Sequence, residues 1–309
     1  MWWPSVPMVR TLTKLALSLA FTLAQGHAAA LTVFACEPEW AALTQTLLPS
    51  AKVYSATHHL QDPHHIEARP SLIAQLRNAD MAVCTGAELE AGWLPMLQAK
   101  ASNPKIQNGQ PGMFYAADHV SLVHPFKGTV TPFSGDVHVL GNPHLHADPR
   151  RLLAVAKVLA LRLAAIAPAE KGRIDRQLQQ FETTLSDKIQ AWEQLAKPLR
   201  GRSVVTQHAN FAYLWLWLGL NPVADLEPKP GVPPTPAHLA RTLAQSRTAP
   251  PMAIVIAQHH DPRPAQWLSG QLGTPQKMVV LPATVTSDGP DALLAWFDLM
   301  VNRLVQVAP

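Results

Sequence analysis

The span from residue 148 to 199 constrains this chain most. Its apolar residues recur at helical spacing, it carries no strand signal, and its one break falls at Ala167-Pro168. Asp148-Pro149 opens it, an acceptor at the N-cap followed by proline at the first helical position. Pro198 stops it. Residues 169–197 alone predict a helix of roughly 40 Å at ~1.5 Å per residue, about a small domain's diameter. Strands alternate with helices on both sides of this span. The pattern suggests two lobes meeting at a helical hinge, with a cleft beside it.

Before the span, strands are expected at 31–35, 52–55 and 81–83, with helices at 38–48, 70–76 and 87–98. Residues 101–139 are rich in Pro and Gly and read as irregular, with one strand near 120–122. After the span, strands at 203–206, 253–257 and 277–281 alternate with helices at 211–218, 238–246, 263–272 and 291–305. Gly219 caps the first of these helices, and 226–236 is a proline-rich loop. Such alternation means βαβ units and parallel sheets. The expected fold class is therefore α/β, with two lobes (31–148 and 201–309), each a parallel sheet flanked by helices, joined by rigid linker helices at 149–200.

Composition removes several alternatives. Hydrophobic residues make up 48% and charged residues 15%, enough apolar material for cores and too little polarity for disorder. The formal charge of +4 comes from basic residues scattered singly, without a Lys/Arg cluster or aromatic interleaving, which argues against nucleic acid. Residues 1–30 read as an export signal. Arg10 and Lys14 precede a short apolar run at 15–24, and Ala28-Ala29-Ala30 offers small residues for cleavage near Ala30. The segment Val33-Phe34-Ala35-Cys36 lies too far past that run to serve as a lipidation box. A periplasmic location is expected. In that oxidising setting the two cysteines, Cys36 and Cys84, suggest one disulfide, since both end strand-like runs; two buried thiols are the other reading.

Histidine is the unusual count, at 14. His64 follows Asp62-Pro63, His144 follows Asn142-Pro143, and His208 lies between a strand and a helix, so each imidazole sits on backbone of reduced freedom. Open parallel sheets bind ligands beyond the carboxyl ends of their strands, where His64, His208 and His259-His260 fall. Three imidazoles from three loops would form a zinc-type site with one open position. Separate histidines capping helices or bonding to backbone are the competing reading. His119, His124 and His138 lack supporting spacing and read as surface or loop residues. Trp215 and Trp217 read as core.

Taken in order, several motifs resemble those of the periplasmic zinc/manganese-binding protein family of bacterial ABC importers (metal solute-binding proteins, cluster A-I), in its zinc-type form. They are Asp62-Pro63-His64-His65-Ile66-Glu67-Ala68-Arg69-Pro70-Ser71, Ala79-Asp80-Met81-Ala82-Val83 with Thr85-Gly86-Ala87-Glu88-Leu89, Gly141-Asn142-Pro143-His144, Gln207-His208-Ala209-Asn210, and Leu281-Pro282-Ala283-Thr284-Val285. The resemblance implies two lobes bridged by a rigid helix, Zn²⁺ as transported ligand held by His64, His144 and His208, and delivery to an ABC permease. A monomer is expected.

Two departures matter. Many members supply an aspartate ligand directly after the last strand, where this chain has Pro282. The fourth position then falls to water, Glu37, Glu67, Asp288, His259 or His260. The long histidine- and acid-rich loop of some zinc-specific members is also missing. Manganese or a metal chelate remains as alternative cargo. A secreted zinc hydrolase is disfavoured, because neither His-Glu-x-x-His nor Gly-x-Ser-x-Gly occurs. By location, residues 128–139 and 228–236 are places where a permease could make contact.

Overall fold

The computed structural model describes residues 1–3, 30–131, 133–273 and 278–308. The core of the expected export signal and Lys277 lie outside the described residues. Two four-stranded parallel sheets form the frame. The first contains β1 (Thr32–Ala35), β2 (Lys52–Ser55), β3 (Met81–Cys84) and β4 (Met113–Tyr115), in the order β2-β1-β3-β4. The second contains β5 (Ser203–Thr206), β6 (Asn221–Asp225), β7 (Ala253–Ala257) and β8 (Met278–Leu281), in the order β6-β5-β7-β8. Counted within its own half, each sheet runs 2-1-3-4. The inner strands β3 and β7 are buried along their whole length, which is why Met-Ala-Val-Cys and Ala-Ile-Val-Ile-Ala are unbroken apolar runs.

Helices α1 (Pro38–Leu47), α2 (Pro70–Asn78) and α3 (Leu94–Ala101) cover the first sheet, while α6 (Ala212–Leu218), α7 (Pro236–Thr248), α8 (Arg263–Leu272) and α9 (Ala292–Gln306) cover the second. Between them run α4 (Pro149–Ile166) and the 25-residue α5 (Lys171–Leu195), separated by a 3₁₀ turn at Pro168–Glu170. Asp148 caps α4 as expected: its carboxylate is fully buried, accepts from the Arg150 amide at 3.0 Å and pairs with Arg151 at 2.6 Å.

One continuous core joins the lobes. Trp40, Leu43 and Leu47 of α1, Leu152 and Leu159 of α4, Phe181 and Leu185 of α5, and Trp296, Phe297 and Met300 of α9 belong to a single apolar cluster. Two smaller clusters lie elsewhere, one beneath α2 and α3 and one beneath α7 and α8. Between the lobes lies packed interior rather than a flexible strap, so relative motion must deform close-packed side chains.

Four local expectations need correction. Residues 87–93 are not helical: Ala87 and Glu88 are both left-handed (φ 49° and 69°), and the buried Glu90 carboxylate accepts from the Thr85 and Gly86 amides, tying the segment into a turn. The helix starts only at Leu94. Residues 120–122 form no strand; the fourth strand of that sheet is Met113–Tyr115, paired with β3. An extra strand, β6, starts at Asn221-Pro222, a turn-like dipeptide tolerated because β6 is an edge. The linker helix proper is Lys171–Leu195, shorter at both ends than 169–197. The expected bridge between Cys36 and Cys84 is present, joining the ends of neighbouring strands with a Cα separation of 4.8 Å.

Candidate metal centre

Three loops deliver His64, His144 and His208 to one place. His64 follows β2, with its amide and ring both anchored on Asp62: N to Oδ1 is 3.0 Å and Nδ1 to Oδ1 is 2.7 Å. His144 closes the Asn142-Pro143 turn. The Asn142 side chain accepts from the His144 amide at 2.9 Å and donates to the Ala209 carbonyl at 2.9 Å, stitching this turn to the loop that carries His208. Tyr213 of α6 donates to the Asn142 carbonyl at 2.7 Å. His208 itself is left-handed (φ 61°), a conformation unusual for any residue but glycine. It is held there by Asp225, which accepts from its amide at 3.2 Å, and by Thr206, which donates to its carbonyl at 2.8 Å.

The ring centroids of the three are 5.2–5.6 Å apart, and one nitrogen from each lies within 4.8 Å of the others. All three side chains are buried. Carboxylates bind the outer nitrogens: Asp62 takes Nδ1 of His64, and Glu227 takes Nδ1 of His208 at 3.0 Å. A carboxylate can only accept, so Nδ1 carries the proton in each ring and Nε2 is left as a lone pair. Nε2 of His144 is buried without a hydrogen-bond partner. This is the donor set a divalent transition metal takes: inward imidazole nitrogens, each oriented by an outer carboxylate or turn.

The electrostatics divide the three. Burial pushes His144 well below the ordinary histidine pKa, and the charges of His64 and His208 push it further. Burial also opposes charge on His208, but the Glu227 contact outweighs it and the ring is raised above 6.5. Asp62 is held well below the usual carboxylate range: burial opposes this, and the bonds to His64 prevail.

The other candidate residues are placed as follows. Glu67 and Asp288 are exposed. Glu37 is buried; Oε2 accepts from Thr85 Oγ1 at 3.0 Å, while Oε1 has no hydrogen-bond partner. His260 lies beside His208, with ring centroids 6.2 Å apart, and stacks edge-on against His259 at 4.4 Å; its Nδ1 accepts from the Ala257 amide at 3.3 Å. Beyond β8, the site of the missing aspartate, Thr284 donates to Glu39 at 2.5 Å and the Ala283 carbonyl takes Nε2 of His146 at 2.9 Å. His146 lies 3.1 Å from Glu39 and is buried between the lobes.

His138, expected as a surface or loop histidine, does lie on a loop, next to His64. It is half-buried, and its Nε2 lies 3.2 Å from Nε2 of His64. The expected permease-facing loops also prove to be partners of each other: the Asp136 amide donates to the Pro230 carbonyl at 2.9 Å, and Lys229 reaches the Phe133 carbonyl at 3.1 Å.

With this geometry in place, comparison with known proteins is informative. A family described as "Zinc-uptake complex component A periplasmic" matches residues 33–307. This chain belongs to that family. The high-affinity zinc uptake system protein ZnuA of Yersinia pestis is 26% identical over 66% of this chain and 64% of its own length, so the chain matches slightly less than two thirds of that relative. Among solved structures, the laminin-binding adhesin Lmb of Streptococcus agalactiae (in a mutant form) superposes with a TM-score of 0.74 at 21% identity, covering 91% of this chain and 100% of that one. The solute-binding protein FpvC of Pseudomonas aeruginosa, in complex with Mn²⁺, gives 0.71 at 16% identity, covering 90% and 98%. At these identities the superpositions establish the fold. The description of that family is of an uptake component, not of a hydrolase.

Proposed function

We propose that this protein is the metal-capturing subunit of an ABC importer, that it carries one Zn²⁺ on His64, His144 and His208, and that it hands the ion to a membrane permease. The observation that carries the reading is the convergence of three buried imidazoles whose nitrogens lie within 4.8 Å of one another. Family membership and the zinc uptake role named for the Yersinia relative support it. Nitrogen donors favour zinc over Mn²⁺, which prefers carboxylate, carbonyl and water oxygen. The basic n-region, apolar run and Ala28-Ala29-Ala30 support export to the periplasm with cleavage near Ala30. We take 31–148 and 201–309 as the two metal-binding lobes, 149–200 as the linker, and the working form as a monomer.

Calorimetric titration of metal-stripped protein tests this reading. The expected result is one Zn²⁺ per chain, with His64→Ala weakening binding by more than ~100-fold, beyond the 10–100-fold typical of an outer-shell partner. Unchanged affinity in His64→Ala and in His208→Ala together would remove the triad from the site.

A further inference from the structure

We propose that His138 is the fourth ligand of this ion, filling the position left by the aspartate missing after β8. The inference rests on the reading of His64, His144 and His208 as ligands.

Hydrogen bonding fixes the tautomers. Nδ1 of His138 is 2.9 Å from the Ala87 carbonyl, and Nδ1 of His64 is 2.7 Å from Asp62. Both partners are acceptors only, so both Nδ1 atoms carry hydrogen and both Nε2 atoms present lone pairs. Those two Nε2 atoms face each other at 3.2 Å. That contact is satisfied by a shared proton (Nε2–H···Nε2) in the metal-free protein and by a metal ion between the lone pairs in the loaded one. Two nitrogens bound to a tetrahedral zinc at 2.0–2.1 Å stand roughly 3.3 Å apart, so the observed separation is that of one edge of such a site.

The backbone around His138 is anchored to both lobes. On one side, the Val139 amide donates to Glu88 of the first lobe at 2.6 Å. On the other, Asp136 bonds to Pro230 of the second. Gly135 allows that approach: a Cβ there would stand 2.2 Å from the Pro230 carbonyl oxygen, and its φ of +75° suits glycine. The ring is thereby held on the site by contacts that span the cleft. Among the other donors, Thr284 serves Glu39, one Glu37 oxygen serves Thr85, Nδ1 of His260 accepts from the Ala257 amide, and Glu67 and Asp288 face solvent; His259, whose Nδ1 is buried without a partner, is the competing donor.

The test is ¹⁵N-histidine NMR of the full mature chain, titrated with Zn²⁺ from the metal-free state. The expected result is that Nε2 of His138 moves in step with those of His64, His144 and His208, all saturating at one equivalent. His138→Ala is expected to weaken zinc binding by ~10–100-fold, and His138→Asp to recover part of the loss, because a carboxylate oxygen also ligates zinc. Saturation of the other three with His138 unmoved would overturn the inference and leave the triad standing. Equal affinities for His138→Ala and His138→Asp would reduce His138 to a structural role and overturn it too. If none of the four moved, the triad reading itself would fall, and this inference with it.

Discussion

The two lobes share one strand order and use its special position differently. In a 2-1-3-4 sheet, the crevice opens between the first and third strands, where the chain reverses its direction of winding. In the first lobe that crevice is sealed. Cys36 after β1 and Cys84 at the end of β3 are bridged across it, and the buried carboxylates Glu37 and Glu90 lie behind, raised by burial, Glu90 to about 7. In the second lobe the matching position carries histidines instead: His208 follows β5 and His259-His260 follow β7, with no covalent tie between these described residues. The first lobe therefore delivers its histidines from elsewhere, His64 from the loop after the edge strand β2 and His144 from the turn just before α4. One topology supplies a brace in one half and a proposed metal ligand in the other.

That contrast can be broken from either side, and the largest effect is expected in the second lobe. His208→Ala should lower zinc affinity by more than ~100-fold, while the metal-free protein still unfolds cooperatively, with a modest loss from the broken Glu227 contact, since the ring is not part of the apolar core. Chelator competition and thermal unfolding on the same variant check this. The paired change Cys36→Ser with Cys84→Ser should do the reverse. The expected loss is ~2–4 kcal/mol of unfolding free energy by denaturant titration, with zinc affinity staying near that of the intact protein. A large loss of affinity in this variant would mean that the brace positions the ligands and the two crevices are not separable.

A sharper test lies in pH. Glu227 raises His208, and burial lowers His144. A proton and zinc compete for the same Nε2, so by raising His208, Glu227 moves the loss of affinity on acidification to higher pH. Removing the carboxylate in Glu227→Gln leaves burial dominant on His208, so the onset of that drop should move to lower pH, with affinity about 10-fold weaker at pH 8. The metal-free protein should show the linked signs. His208, raised, contributes stability present below 6.5 and lost as pH rises through its folded pKa. His144, lowered, costs stability as pH falls below 6.5, because the unfolded chain binds that proton first. An onset unmoved in Glu227→Gln would show that another group sets the pH response. The smallest effect is expected from Gly135→Ala, whose Cβ must displace the Pro230 carbonyl and loosen the segment bearing His138. A loss of under ~10-fold is expected, less than an outer-shell partner at the upper end of its range.

Much of this architecture was legible in the sequence because it is locally encoded. Asp148-Pro149 marks a helix start by capping chemistry alone, and β3, β5 and β7 declare themselves as apolar runs between turns. The X-Pro-His turns singled out two of the three converging imidazoles, and a strand end the third. What escaped depends on contacts made far along the chain. The strand β6 opens on Asn-Pro and is extended only because β5 pairs with it. Residues 87–93 carry helical composition, yet Glu90 spends its carboxylate on the Thr85 and Gly86 amides and fixes a turn instead. His138 sits in a Pro- and Gly-rich stretch with no period, and its partner His64 is 74 residues away. The one sequence clue was indirect: Pro282 stands where the family resemblance led us to expect an aspartate.

X-ray absorption at the zinc edge on protein loaded with one equivalent tests the central claim most directly. The account requires a first shell of nitrogen at ~2.0–2.1 Å, with the outer-shell scattering of at least three imidazole rings, reduced by one ring in His208→Ala. An oxygen-only shell, or a spectrum unchanged in that variant, would contradict it.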